Sequence, residues 1–121
     1  MLGGARLIGT NPDLTGPTES GIAPACRSLI APIERATGRT AYYIGKPNPL
    51  MMRGGLQLLG TTREETAIVG DRMDTDIVAG VESELDTVLV LSGVTAPEDV
   101  QKFPYRPHYI LSGVGDIPPK G

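Results

Sequence analysis

The chain has one cysteine, Cys26, in 121 residues. A lone cysteine excludes an internal disulfide and suits a reducing compartment. A basic excess is also lacking. Eleven Lys and Arg against fourteen Asp and Glu leave a formal charge of −3, with no sign of the basic stripe that marks a nucleic-acid-binding surface. No apolar run approaches the roughly 18 residues of a membrane span. The first residues do not show the charged and apolar regions of a signal peptide. These absences point to a cytoplasmic protein that binds neither nucleic acid nor membrane. There is no internal repeat and no low-complexity tract. The 16 glycines and 11 prolines fall mainly at the boundaries of apolar segments. The length and the 40% hydrophobic content suit one domain with a modest core.

Those boundaries divide the chain into alternating elements. Residues 5–9 read as a short strand ended by Asn11-Pro12-Asp13, and the polar, Gly/Pro-rich residues 14–23 read as a loop. Ala25, Cys26, Leu29, Ile30, Ile33 and Ala36 recur at helical spacing, with Gly38 as a stop. This spacing predicts a core role for Cys26. Pro32 inside that helix removes a bond to the Ser28 carbonyl and disfavours the helix by roughly 3 kcal/mol. Residues 40–44 have strand composition. A helix is expected from Pro49 to Leu59, with Asn48 as N-cap, Pro49 at the first position and Gly60 beyond the end. Gly54-Gly55 weakens it by about 1 kcal/mol per glycine. Strands are expected at 66–69, 87–91 and 108–111, with a helix over 74–83. Thr95-Ala96-Pro97-Glu98 has the form of a capping box opening a short helix. The alternation predicts an α/β fold with right-handed parallel crossovers.

The chemistry concentrates where the strand at 66–69 ends, in Gly70-Asp71-Arg72-Met73-Asp74-Thr75-Asp76. Open α/β sheets bind ligands at the carboxyl ends of their strands. An oxygen-only cluster suits a hard cation such as Mg²⁺, which takes one or two carboxylates together with phosphate and water. Aspartates also gather in turns because they cap helices, and capping is the expected task of Asp74. Upstream, Gly45-Lys46-Pro47-Asn48-Pro49 holds a lysine in a loop between a strand and a helix. There it could neutralise a phosphate beside the metal.

The lysine followed by Gly-Asp-x-x-x-Thr-Asp resembles the third and fourth motifs of the haloacid dehalogenase (HAD) superfamily, and within it the NagD-like and p-nitrophenyl phosphatase-like subgroup. The resemblance extends over Gly4–Asp13, the Gly-Lys-Pro-Asn-Pro loop, Leu89–Val94 and Phe103–Pro107, almost the whole chain. It implies a partial Rossmann-like parallel sheet. Residues 1–40 would form the end of an α/β cap and residues 41–121 the C-terminal half of the hydrolase core. It also implies Mg²⁺-dependent hydrolysis of a phosphorylated small molecule through an aspartyl-phosphate. Asp71 and Asp76 would hold the metal, and Lys46 would act in catalysis and pair with the phosphoryl group. Asn11, Asp13 and Asn48 would lie near the substrate. The family's nucleophile motif, Asp-x-Asp-Gly after a strand, does not occur in these 121 residues; Asp74-Thr75-Asp76 lies within the fourth motif. The chain therefore reads as a C-terminal portion, inactive by itself, that needs a missing N-terminal half or a second copy as partner. The strand at 66–69 would then lack a neighbour on one side. An inactive remnant or interaction module is the alternative. A phospho-acceptor receiver domain fits less well, because its acidic pair normally comes early and its lysine late, the reverse of the order here.

Overall fold

A computed structural model describes residues 2–119. Their contacts divide into two units, the boundary falling between Asn48 and Pro49.

In the first unit β1 (Ile8–Gly9) pairs in parallel with β4 (Tyr42–Tyr43), Ile8 opposite Tyr42. Both strands are shorter than their composition suggests. Gly9 is needed there, since a side chain would collide with the Tyr43 ring. Residues 14–23 are not the expected loop. They fall largely within an antiparallel hairpin of β2 (Thr15–Thr18) and β3 (Gly21–Pro24). Glu19 and Ser20 form its turn, and Gly21 follows at φ 138°, where glycine avoids strain. Pro17 and Pro24 are tolerated because each strand of a two-stranded sheet has an open edge.

Helix α1 (Cys26–Thr37) keeps the expected bounds despite Pro32. Its end is set by Gly38, left-handed at φ 66°, whose N–H reaches the Glu34 carbonyl. The helix buries none of its residues. Cys26 is accordingly only half-buried, and the expectation that it joins a core is corrected. Its sulfur accepts a hydrogen bond from the Thr10 hydroxyl at 3.3 Å.

The second unit opens with α2 (Pro49–Leu59), ended as expected by Gly60 at φ 66°. After a single 3-10 turn at Arg63–Glu65 come β5 (Ala67–Gly70), β6 (Asp86–Val90) and β7 (Tyr109–Leu111). All pair in parallel, in the order β5-β6-β7, so β5 is a terminal strand of this sheet. The expected helix over 74–83 is split. Met73–Ile77 form a wide π-helical turn, and only Val78–Glu82 are α-helical, as α3. Gly80 lets α3 settle on Ile68 and Thr87 without a Cβ in the way.

Met73, Ile77, Leu89 and Val100 form the core, with Leu91, Phe103 and Tyr105 packed against it. Each large apolar side chain buried this way stabilises by about 1.5–3 kcal/mol. The Tyr105 hydroxyl donates to the Met73 carbonyl at 2.8 Å, fastening the segment before β7 to the turn after β5. The capping box expected at Thr95–Glu98 does not form. The helix there is 3-10, spans Pro97–Lys102, and has Ala96 as its cap residue with no side-chain cap bond. Thr95 is buried instead, its N–H given to the Asp71 carbonyl at 3.1 Å.

Candidate metal and phosphate site

Asp71 follows the last residue of β5 and is half-buried. Its Oδ2 accepts the Val94 N–H at 2.7 Å. No hydrogen bond from a described residue reaches its Oδ1. Asp76, 4% exposed, folds back beneath the start of the turn. Its Oδ2 accepts the N–H groups of Asp71 at 3.2 Å and Arg72 at 3.1 Å.

The π-helical winding makes the room for this. Ile77 donates to the Arg72 carbonyl at 3.1 Å, and Val78 to that of Met73, each five residues back. Such wide turns recur at functional sites. Gly70 is the other requirement, because a Cβ there would overlap Cβ, Cγ and Oδ2 of Asp76.

Asp74 does not cap the helix; Arg72 stands at the cap position and makes no side-chain cap bond. Asp74 instead takes both prongs of the Arg72 guanidinium, Nε to Oδ1 at 3.0 Å and Nη2 to Oδ2 at 2.8 Å. That hydrogen-bonded pair lowers the Asp74 carboxyl below its ordinary pKa. A cavity of about 280 Å³ adjoins the turn, lined by Arg72, Met73, Asp74, Val94, Lys102 and Phe103 among others.

The donor chemistry fits Mg²⁺. One carboxylate is tethered by a single oxygen at a strand's carboxyl end, and its other oxygen accepts no hydrogen bond from a described residue. Among the described residues no group of three or more acidic, His or Cys side chains could enclose a metal. A carboxylate oxygen is the kind of hard donor that Mg²⁺ takes.

The other expected site residues belong to the first unit. Lys46 lies in the loop after β4, where Asn48 N–H closes a turn onto the Gly45 carbonyl at 3.0 Å. Ile44 continues the pairing, donating to the Gly9 carbonyl at 3.1 Å. Gly45 then packs on Thr10 and Asn11 so closely that a Cβ would strike the Thr10 carbonyl oxygen. The loops bearing Asn11 and Lys46 therefore leave the same end of the β1–β4 pair. Asn11 Oδ1 accepts the Asp13 N–H at 3.3 Å, a side-chain turn that leads the chain toward α1. Asn48 donates its side-chain amide to the Tyr42 hydroxyl and the Tyr43 carbonyl, both at 2.8 Å. A larger cavity, about 540 Å³, lies at the opposite end of this strand pair, between residues 4–8 and 39–42.

Sequence reasoning gave no task to Tyr42, Tyr105, Gly93 or Val94. Tyr42 accepts the Asn48 amide six residues on, and Tyr105 reaches a carbonyl 32 residues back, a separation that no local pattern encodes. Gly93 and Val94 stood in the Leu89–Val94 segment, where only the apolar run was readable as structure.

The HAD-hydrolase-like family model matches residues 43–117, and the chain belongs to that family. It is 50% identical over 117 residues to the dihydroxyacetone phosphatase of Corynebacterium glutamicum, covering 97% of this chain and 42% of that protein. It is 46% identical to the ribonucleotide monophosphatase NagD of Escherichia coli over 94% of this chain and 44% of NagD. The crystal structure of 4-nitrophenylphosphatase from Thermotoga maritima matches with a TM-score of 0.87 at 36% identity, covering 93% of this chain and 44% of that one. The chain thus spans less than half the length of these relatives. Its mixed architecture is a partial Rossmann-like α/β fold of the HAD type.

Proposed function

We propose that this chain supplies the lysine, the metal-holding carboxylate and its supporting aspartate for a Mg²⁺-dependent phosphomonoesterase acting on a phosphorylated small molecule in the cytoplasm. The observation that carries the reading is Asp71, set at the carboxyl end of β5 with one oxygen tied to Val94. Names of relatives that are phosphatases support the reaction class. On this reading residues 1–40 end a cap and 41–121 belong to the hydrolase core. Asp71 would hold the ion, and Asp76 would act at the same place by fixing the turn that presents Asp71. When bound, Mg²⁺ withdraws charge from phosphoryl oxygens. Lys46 places a second positive charge on those oxygens, stabilising the charge that develops as the phosphoryl group transfers. Asn11, Asp13 and Asn48 border the approach of the substrate. The nucleophile comes from outside these 121 residues, carried on a strand that pairs with the open edge of β5.

The test is complementation. Residues 1–121 alone, given p-nitrophenyl phosphate and Mg²⁺, should show no sustained turnover, because a covalent route lacks its first step. Co-expression with the N-terminal half of a relative carrying Asp-x-Asp-Gly should restore activity, and Lys46→Met or Asp71→Asn should remove it. Turnover by the chain alone that vanishes in Asp71→Asn would overturn the division of labour. An active complex indifferent to Lys46→Met would overturn the lysine's role. A stable but inactive complex would favour a non-catalytic interaction module.

A further inference from the structure

The close approach of the loop after β6 to Asp71 is not explained by the fold alone. Residues 92–94 are exposed, yet this loop presses its backbone onto the one carboxylate at the end of β5. Two backbone bonds join them: Val94 N–H to Asp71 Oδ2 at 2.7 Å, and Thr95 N–H to the Asp71 carbonyl at 3.1 Å. Contact this close requires Gly93. A Cβ there would lie 2.5 Å from both Cβ and Cγ of Asp71, and closer still to Oδ2. Rotating the aspartate could clear the oxygen but not its Cβ, which is fixed to the backbone. The loop would have to withdraw, stretching both bonds. Gly93 does not occupy the left-handed region, so its requirement is one of space and not of backbone angle.

We propose that Gly93 is a positioning residue for metal binding. Its missing side chain seats the 92–95 loop so that Val94 N–H holds Asp71 Oδ2 and turns Oδ1 outward. The inference rests on Asp71 being the metal ligand. It assigns the orientation of that ligand to a loop about 20 residues further along the chain. Partners of this kind, which orient a metal ligand without touching the metal, typically change affinity by about 10–100-fold when lost.

The experiment is a Mg²⁺ titration of the 121-residue chain followed by backbone amide NMR shifts at Gly70–Asp76, with Gly93→Ala, Gly115→Ala and Asp71→Ala. Gly115 has open space around it, so Gly115→Ala controls for loop stiffening and should match wild type. Gly93→Ala should weaken binding about tenfold, and Asp71→Ala should remove it. Binding unchanged in Asp71→Ala would overturn the metal reading itself. Loss in Asp71→Ala with wild-type affinity in Gly93→Ala would overturn only the role of Gly93. Amide hydrogen exchange at Val94 decides the matter even if Gly93→Ala does not fold. The proposal requires that amide to be protected in wild type, although Val94 is 53% exposed, and to lose protection in Asp71→Ala. Fast exchange in wild type would overturn it.

Discussion

The two units hold their chemical groups by different means. Around Asp71 and Asp76 the turn is anchored in a core, with Met73, Ile77 and Leu89 at most 1% exposed. Around Lys46 the described structure has only Ala41 as a buried apolar side chain. That loop is held by strand-end hydrogen bonds, by the Asn48 amide and by the contact of Gly45 with Thr10 and Asn11. In the second unit the backbone bonds and glycine contacts that hold the carboxylates rest on a buried core, which resists displacement. In the first the loop bearing Lys46 has backbone bonds and glycine contacts with little buried apolar core beneath them. The exposed apolar residues of α1, Leu29 at 68% and Ile33 at 41%, belong to this less enclosed unit.

A direct way to break the comparison is to truncate one apolar residue in each unit. Leu89→Ala removes a fully buried side chain and should destabilise by about 2–5 kcal/mol, as cavity-forming substitutions do. Leu29→Ala, in an exposed position, should stay within about 0.5 kcal/mol. Urea unfolding of both variants measures the difference. Equal losses would mean that α1 buries Leu29 in a core the comparison leaves out.

What was legible in the sequence follows the same division. Helix bounds were readable wherever a chain terminator acts locally: Pro49 and Gly60 bracket α2, and Gly38 closes α1. The β-branched run that becomes β6 was readable from composition. The hairpin at 15–24 was not, since Gly16, Pro17 and Pro24 argue against strands and only a two-residue turn brings them together. The π-helical turn was hidden as well. It depends on Asp76 reaching back to two backbone N–H groups, a preference of the tertiary structure over the regular helix that the spacing predicts. The candidate aspartates and lysine were legible as motifs. Gly93, Val94 and Tyr105, which hold the aspartate turn, act on it from distant parts of the chain.

Glycine seats sharpen the comparison at intermediate cost. Gly70→Ala thrusts a methyl group into the Asp76 side chain, and Gly45→Ala thrusts one into the Thr10 carbonyl oxygen. Both should destabilise by about 1–3 kcal/mol, the usual cost of overpacking. Their local effects should differ. Gly70→Ala should speed hydrogen exchange at the Asp71 and Arg72 amides, which lose the Asp76 acceptor. Gly45→Ala should leave those amides unchanged and speed exchange at Ile44. Matching exchange patterns would show that the two sites are not held independently.

The smallest effect tests whether surface charge adds to what packing achieves around the turn. Arg72 and Asp74 form a two-pronged pair, their side chains 27% and 52% exposed. Water screens half of Asp74, so the pair should contribute only about 0.2–1 kcal/mol. The sign of its pH dependence follows from the Asp74 carboxyl being held below its ordinary value of 3.8 by Arg72. A carboxylate depressed in the folded state contributes fully above the unfolded value and loses that contribution as pH falls through the folded one. Asp74→Asn should therefore lower stability slightly near neutral pH, and the gap from wild type should close in strong acid. Chemical denaturation of both proteins across that range checks it. A gap that widens on acidification would mean that Asp74 is destabilised by its surroundings, and that the turn keeps its shape through Asp76 and the Met73–Ile77 packing against an unfavourable charge.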